Sequence, residues 1–114
     1  MSRDYDAYLE DIREAVDRIQ EYVQGITRDA FVAERMRFDA VIRNLEVIGE
    51  AVKQVPDSVR QNYPDVEWRK IAGLRDILIH KYFNINVEII WDIVESKLPT
   101  LKAQIQLMIK ERNE

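Results

Sequence analysis

Residues 9–26, LEDIREAVDRIQEYVQGI, place an apolar side chain at every third or fourth position. The apolar positions are Leu9, Ile12, Val16, Ile19, Val23 and Ile26. An α-helix has about 3.6 residues per turn, so these side chains form one narrow seam along an otherwise charged helix. The stretch therefore predicts a long amphipathic helix that buries one edge and ends near Gly25.

Three further segments have the same helical spacing of apolar residues. They run from about Glu34 to Val55, from Glu67 to about His80, and from Val87 into the 110s. Pro99 should bend or divide the last of these helices. Since no segment alternates as a strand would, the predicted fold is all-α: an antiparallel four-helix bundle with one or two short additional helices, forming a single domain over residues 1–114.

Two glycines interrupt otherwise favourable helical segments. Gly49 in the second helix and Gly73 in the third each cost about 1 kcal/mol relative to alanine. We expect both to mark close backbone approach between these two helices. In the connector before the second helix, Phe31 and Val32 are expected to pack onto the core.

The composition limits the kind of protein this chain can be. Its net charge is −4, which does not favour general electrostatic binding of nucleic acid, and it has no cysteine. No apolar run approaches the length of a membrane span, so we expect no membrane association and a cytoplasmic location. Charge is nevertheless uneven: residues 68–87 carry four cations and one anion, a net +3, which leaves −7 in the remainder. This basic segment favours an anionic ligand.

The basic segment contains residues 75–82, RDILIHKY, with the only histidine of the chain. His80 can change charge near neutral pH, and Arg75 is a permanent cation, a pair suited to chemistry on phosphate esters. The five-residue step between them rotates about 500° on a straight helix, which leaves the side chains about 140° apart. They would converge on one phosphate if the helix unwound at His80, or if a second copy contributed across a two-fold interface.

Structural roles for the same residues remain open alternatives. His80 could interact with the dipole at a helix C-terminus, and Arg75 could form a salt bridge to a neighbouring helix. Asp76 lies four residues before His80, so its carboxylate could orient the imidazole ring.

A polar stripe on the second helix is the other candidate. It consists of Asp39, Arg43, Glu46 and Glu50, at steps of four, three and four. Such a stripe is either a solvated face with pairs along the helix or the lining of a groove between helices. A Glu-x-x-His pair would suggest a di-metal bundle, but residue 77 is isoleucine, so we expect no metal site and no cofactor.

Several segments together resemble the HepT-like branch of the HEPN superfamily. They are the pattern Arg75-x4-His80-x-Tyr82, residues 44–51 (NLEVIGEA), residues 68–76 (WRKIAGLRD), residues 80–83 (HKYF) and the region 87–105 with its Trp91 and Leu98-Pro99. The similarity covers nearly the whole chain. It implies a metal-independent endoribonuclease that acts as the toxin of a toxin–antitoxin pair on an RNA such as tRNA or mRNA.

The resemblance also implies partners and roles. Such proteins are homodimers in which the two motif helices meet, and their partner is an MntA-type nucleotidyltransferase that silences the toxin by adding AMP to the motif tyrosine. Arg75 and His80 would be catalytic, whereas Tyr82 would carry the AMP and contact RNA. The residues expected to support the site are Asp76, Lys81, Arg43 and Glu46.

Two rival interpretations remain. In the first, the chain is a non-catalytic helical subunit that docks substrate for a nucleotidyltransferase. In the second, it is a structural homodimer without activity. The intact set of Arg75, His80 and Tyr82 favours the nuclease over both.

Overall fold

The computed structural model describes residues 5–81 and 84–114, so Tyr82 and Phe83 lie outside the described residues. Its helices are α1 (Tyr5–Val23), α2 (Arg28–Ala33), α3 (Arg35–Lys53), α4 (Asp57–Arg60), α5 (Trp68–His80), α6 (Val87–Asp92) and α7 (Leu98–Arg112), with a π-helical segment (Ile93–Lys97) between α6 and α7. The two described ranges contain no strand. Nor does any described helix combine the length and apolar character needed to cross a membrane.

The long helices pack side by side in opposite directions. Asp6 near the start of α1 pairs with Arg112 at the end of α7, and Asp17 further along α1 pairs with Lys102 at 2.8 Å. Residue numbers that rise along one helix as they fall along the other mean that α1 and α7 are antiparallel. α3 packs between α1 and α5. The predicted all-α bundle with short additional helices is confirmed.

The core follows the apolar seams read from the sequence. In α1, the seam residues Leu9, Ile12, Val16 and Ile19 are fully buried. α3 contributes Phe38, Val41, Ile42, Leu45, Ile48 and Val52, and α7 contributes Leu98, Leu101, Ile105 and Met108. Burial of these faces provides the main driving force for the fold.

The last long helix is interrupted just before Pro99, as the proline predicted it would be. Proline has no backbone N–H, and in a regular α-helix its ring would clash with the carbonyl of Glu95. The chain widens instead: the N–H of Leu98 donates to the carbonyl of Ile93, five residues earlier. A short π segment therefore separates α6 from α7.

The connector between α1 and α3 is itself helical. Phe31 of α2 is fully buried, with its ring centroid 5.4 Å from that of Phe38 and 5.2 Å from that of Trp91. Val32 is 41% exposed, so the expectation that it packs onto the core was wrong. Adjacent helical residues point about 100° apart, and the face of α2 that buries Phe31 turns Val32 outward.

Candidate functional site

Arg75 lies beside Gly49, at a close approach of α5 to α3. A Cβ on Gly49 would lie 2.5 Å from the Arg75 Cβ and 3.1 Å from the Ile71 carbonyl oxygen. Gly49 therefore marks a close approach, as predicted. Gly73 does not, because a Cβ there would meet no atom within 4 Å. That expectation was wrong, since Gly73 faces away from α3.

Arg75 belongs to a chain of four charged side chains. Its Nε lies 3.2 Å from Glu50 Oε2, and one terminal nitrogen lies 3.1 Å from Asp76 Oδ1. The same Asp76 oxygen accepts a hydrogen bond from Lys53 Nζ at 3.0 Å. Lys53, Asp76, Arg75 and Glu50 thus alternate in sign and connect α3 with α5. The salt bridge between helices, the structural alternative for Arg75, is present.

Asp76 is the acceptor at the centre of this chain. Hydrogen bonds from Lys53 and Arg75 hold the pKa of the Asp76 carboxyl below its ordinary value of 3.8. Both donors favour the charged form. Within the described residues, no hydrogen bond or ion pair joins Asp76 to His80. Asp76 therefore contacts the arginine of the motif and not the histidine.

A cleft of about 250 Å³ opens beside Arg75. Its lining includes Tyr8 and Asp11 of α1, Arg43, Glu46 and Glu50 of α3, and Arg75 and Ile79 of α5. Three members of the polar stripe thus line a groove between helices. The fourth, Asp39, pairs with Arg35 at 3.2 Å.

Sequence reasoning did not single out Tyr8 and Asp11. They flank the first apolar seam at a spacing of three residues, which places them on one side of α1. That spacing was a usable signal, but only the packing of α1 against α3 shows that this side faces Arg75.

His80 is exposed and is the last residue of α5. The helix is continuous from Arg75 to His80, and the N–H of Lys81 donates to the carbonyl of Ile77. Unwinding therefore does not bring the two side chains together, and the separation of about 140° persists. Arg75 lines the cleft and His80 does not. The exposed Lys81 ends the helix beside them.

The outward face of α5 carries His80 together with Gly73 and Ile77. These three residues lie within about 60° of one another around the helix. Ile77 is 53% exposed, and the space beside Gly73 is open. Next to this face, a groove of about 600 Å³ lies between α5 and the π segment and α7. Its floor includes the buried side chains of Leu45 and Ile48.

Comparison with known proteins assigns the family. The sequence profile named ribonuclease HepT-like matches residues 12–108, from α1 to the last turns of α7. The chain belongs to the ribonuclease HepT-like family. The match to this HepT-like profile includes both motif residues, Arg75 and His80, and every cleft residue except Tyr8 and Asp11.

Two relatives of known name match along almost their whole length. "Putative RNase MJ0127" of Methanocaldococcus jannaschii is 47% identical over 109 residues, which cover 96% of this chain and 90% of that protein. "Probable ribonuclease HepT" of Thermococcus cleftensis is 39% identical over 110 residues, which cover 96% of this chain and 100% of that protein. No solved structure matches this HepT-like chain.

Proposed function

We propose that this HepT-like chain is a metal-independent endoribonuclease whose active site is built from Arg75 and His80 of two copies. The observation that carries the proposal is the placement of these residues on α5. One chain presents an exposed imidazole on its outward face and an arginine on a different side of the same helix. Membership of a ribonuclease family supports RNA as the substrate.

The proposed chemistry needs a proton acceptor, a proton donor and a cation. An imidazole takes the proton of the ribose 2′-OH, and the 2′ oxygen attacks the adjacent phosphorus. The bond to the 5′ oxygen breaks, and a second imidazole returns a proton to that leaving oxygen. The products are a 2′,3′-cyclic phosphate and a 5′-hydroxyl. Arg75 stabilises the additional negative charge on the phosphate oxygens in the transition state.

A second copy is the proposed source of the second imidazole. In a two-fold dimer that joins the outward faces of α5, Gly73 allows close approach of the two backbones, and Ile77 becomes buried. The apolar groove beside this face offers further surface for the partner chain. Such a contact places His80 of both chains next to each other, and Arg75, about 140° away around α5, must reach the shared phosphate from the edge of the interface.

Cleavage of RNA by the purified protein tests this function. A 5′-labelled RNA should be cut in the presence of EDTA, and the fragments should carry cyclic phosphates. His80→Ala should lower the rate by about 100-fold or more, as loss of a general acid or base does. Gln106→Ala on α7, exposed and outside both cavities, is the control and should cleave normally. Equal background cleavage by wild type and His80→Ala would support a non-catalytic docking subunit.

The remaining part of the proposal concerns control of this activity in the cytoplasm. We propose that the chain is a toxin, neutralised when an MntA-type nucleotidyltransferase attaches AMP to Tyr82. Tyr82 follows the exposed Lys81 in sequence, so an AMP group on it adds bulk and negative charge to the basic segment, which opposes RNA binding. Expression with such a partner should add mass to Tyr82, as seen by mass spectrometry. Tyr82→Phe should remain unmodified, and growth arrest by Tyr82→Phe should persist in the presence of the partner. If the partner relieves growth arrest equally for the wild type and for Tyr82→Phe, this modification is not the means of control.

A further inference from the structure

The charged chain on α3 and α5 raises a question for the proposed ribonuclease, because both carboxylates compete with a phosphate for Arg75. A guanidinium can hold an oxyanion with two parallel hydrogen bonds along either of two edges, Nε with one terminal nitrogen or both terminal nitrogens. Glu50 occupies Nε, and Asp76 occupies one terminal nitrogen. A phosphate held along the first edge competes with Glu50 for Nε, and a phosphate held along the second competes with Asp76 for that terminal nitrogen.

The two carboxylates differ in what they lose on withdrawal. Asp76 Oδ1 already accepts a hydrogen bond from Lys53 at 3.0 Å, so it keeps a cation when Arg75 leaves. In the part of the chain that the structure describes, Glu50 has Arg75 as its only ion-pair partner. Both carboxylates are about half exposed, so the loss of one surface ion pair costs at most about 1 kcal/mol, and this difference favours exchange at Asp76 over exchange at Glu50.

We infer that Lys53 and Glu50 are positioning residues for Arg75. Lys53 retains Asp76 while a substrate phosphate replaces Asp76 on the terminal nitrogens of Arg75. Glu50 holds the Nε of Arg75 in place throughout. This inference rests on the proposed ribonuclease function. It assigns Asp76 the role of an exchangeable counter-ion in place of a partner for His80. Arg75 is then directed at the phosphate through the edge formed by its two terminal nitrogens.

Binding of an uncleavable RNA tests the role of Lys53. A fluorescein-labelled 2′-O-methyl oligoribonucleotide lacks the nucleophilic hydroxyl, and its Kd can be measured by anisotropy. Lys53→Gln leaves Asp76 with Arg75 alone, and the Kd should rise about two- to fivefold, the range for a partly exposed ion pair. Adding Asp76→Asn removes the competing charge, so the double variant should bind within about twofold of Asp76→Asn alone.

A matched control separates this coupling from a general loss of positive charge. Lys70 also lies in the basic segment, on α5, and pairs with Glu67 at 2.9 Å. Lys70→Gln and Asp76→Asn should have additive effects on Kd, whereas Lys53→Gln and Asp76→Asn should not. If Lys53 instead contacts RNA directly, Asp76→Asn will not restore binding to Lys53→Gln, which would overturn the inference.

The role of Glu50 is read from the rate of cleavage. Glu50→Gln keeps an oxygen acceptor for Nε, whereas Glu50→Ala does not, so kcat should fall at least threefold further in the alanine variant with little change in KM. Equal kcat in the two variants overturns the assignment for Glu50.

The proposed function itself fails in a different way. If the wild-type protein cleaves no RNA and cannot be distinguished from Arg75→Ala, the proposed function is refuted. If the wild type cleaves RNA normally but the effects of Lys53→Gln and Asp76→Asn on Kd are additive, only the exchange of counter-ions is refuted.

Discussion

Gly49 and Arg75 are in such close contact that a single added methyl group on Gly49 would lie 2.5 Å from the Arg75 Cβ. The absence of a side chain at residue 49 lets α5 approach α3 closely enough for Glu50 and Lys53 to reach the charges at residues 75 and 76. Position 49 therefore sets the location of the motif arginine as well as the packing of two helices.

Gly49→Ala should weaken both stability and cleavage. The added Cβ forces α5 outward, and such overpacking typically costs about 1–3 kcal/mol of the free energy of unfolding. It also shifts the Arg75 guanidinium, so the rate of RNA cleavage should fall. Urea denaturation and the cleavage assay measure the two effects. Gln106→Ala is the control: Gln106 is exposed on α7, lines neither cavity, and its substitution should change stability by no more than about 0.5 kcal/mol. Similar destabilisation by both substitutions would contradict this account.

Ile77→Asp should separate the proposed dimer. It places a charge on the outward face of α5, beside Gly73 and His80, where burial against a second copy would leave that charge without water. We expect a monomer by light scattering, an unchanged helical circular dichroism spectrum and a loss of cleavage of about 100-fold or more. Ile89→Asp on α6 is the control, since Ile89 is also exposed but lines neither cavity. A monomeric Ile77→Asp protein that cleaves at the wild-type rate would exclude an active site shared between chains.

Periodicity alone predicted the long helices, because each of them buries one regularly spaced edge. The apolar seam of α1 was correct for this reason, and the interruption before Pro99 was correct because proline lacks the backbone N–H of a regular helix. The pairing of Asp76 was not predictable in the same way. Its partner Lys53 lies 23 residues away on another helix, whereas sequence spacing draws attention to His80, four residues away.

The direction faced by a residue also depends on helix packing. Gly49 and Gly73 look equivalent in sequence, yet one faces α3 and the other faces open space. Tyr8 and Asp11 were missed because nothing in α1 alone shows which flank lies beside Arg75. Spacing can identify residues that share a helix face, but only the packed bundle shows what that face meets.

Arg60→Ala should destabilise the end of α3. The Arg60 guanidinium donates to three carbonyl oxygens there: Nε to Val55 at 2.9 Å, and one terminal nitrogen to Val52 at 3.0 Å and Lys53 at 3.1 Å. Carbonyls in the last turn of a helix lack regular partners within the helix, and Arg60 supplies donors to them, although Val52 also accepts from the N–H of Val55 at 3.2 Å.

The expected loss for Arg60→Ala is about 1.5–3 kcal/mol, the usual value of a hydrogen bond to a charged group. Arg60→Lys should recover little of it, since an ammonium lacks the planar fork that reaches all three acceptors. Urea denaturation measures the change, with Arg69→Ala at an exposed position of α5 as a control expected within about 0.5 kcal/mol of wild type. Equal effects at residues 60 and 69 would show that the three hydrogen bonds contribute nothing.

Asp76→Asn should reduce the sensitivity of the fold to acid. Because the pKa of the folded carboxyl lies below 3.8, its charged form stabilises the protein at pH values above 3.8, and this contribution is lost as the pH falls through the lower folded pKa. Asparagine does not titrate, so the variant should be less stable than wild type near neutrality, and the difference should shrink below pH 4. Urea midpoints measured at about four pH values between 2.5 and 7 test this trend. A stability difference that stays constant over this range would mean that the Lys53 and Arg75 hydrogen bonds do not favour the ionised carboxylate.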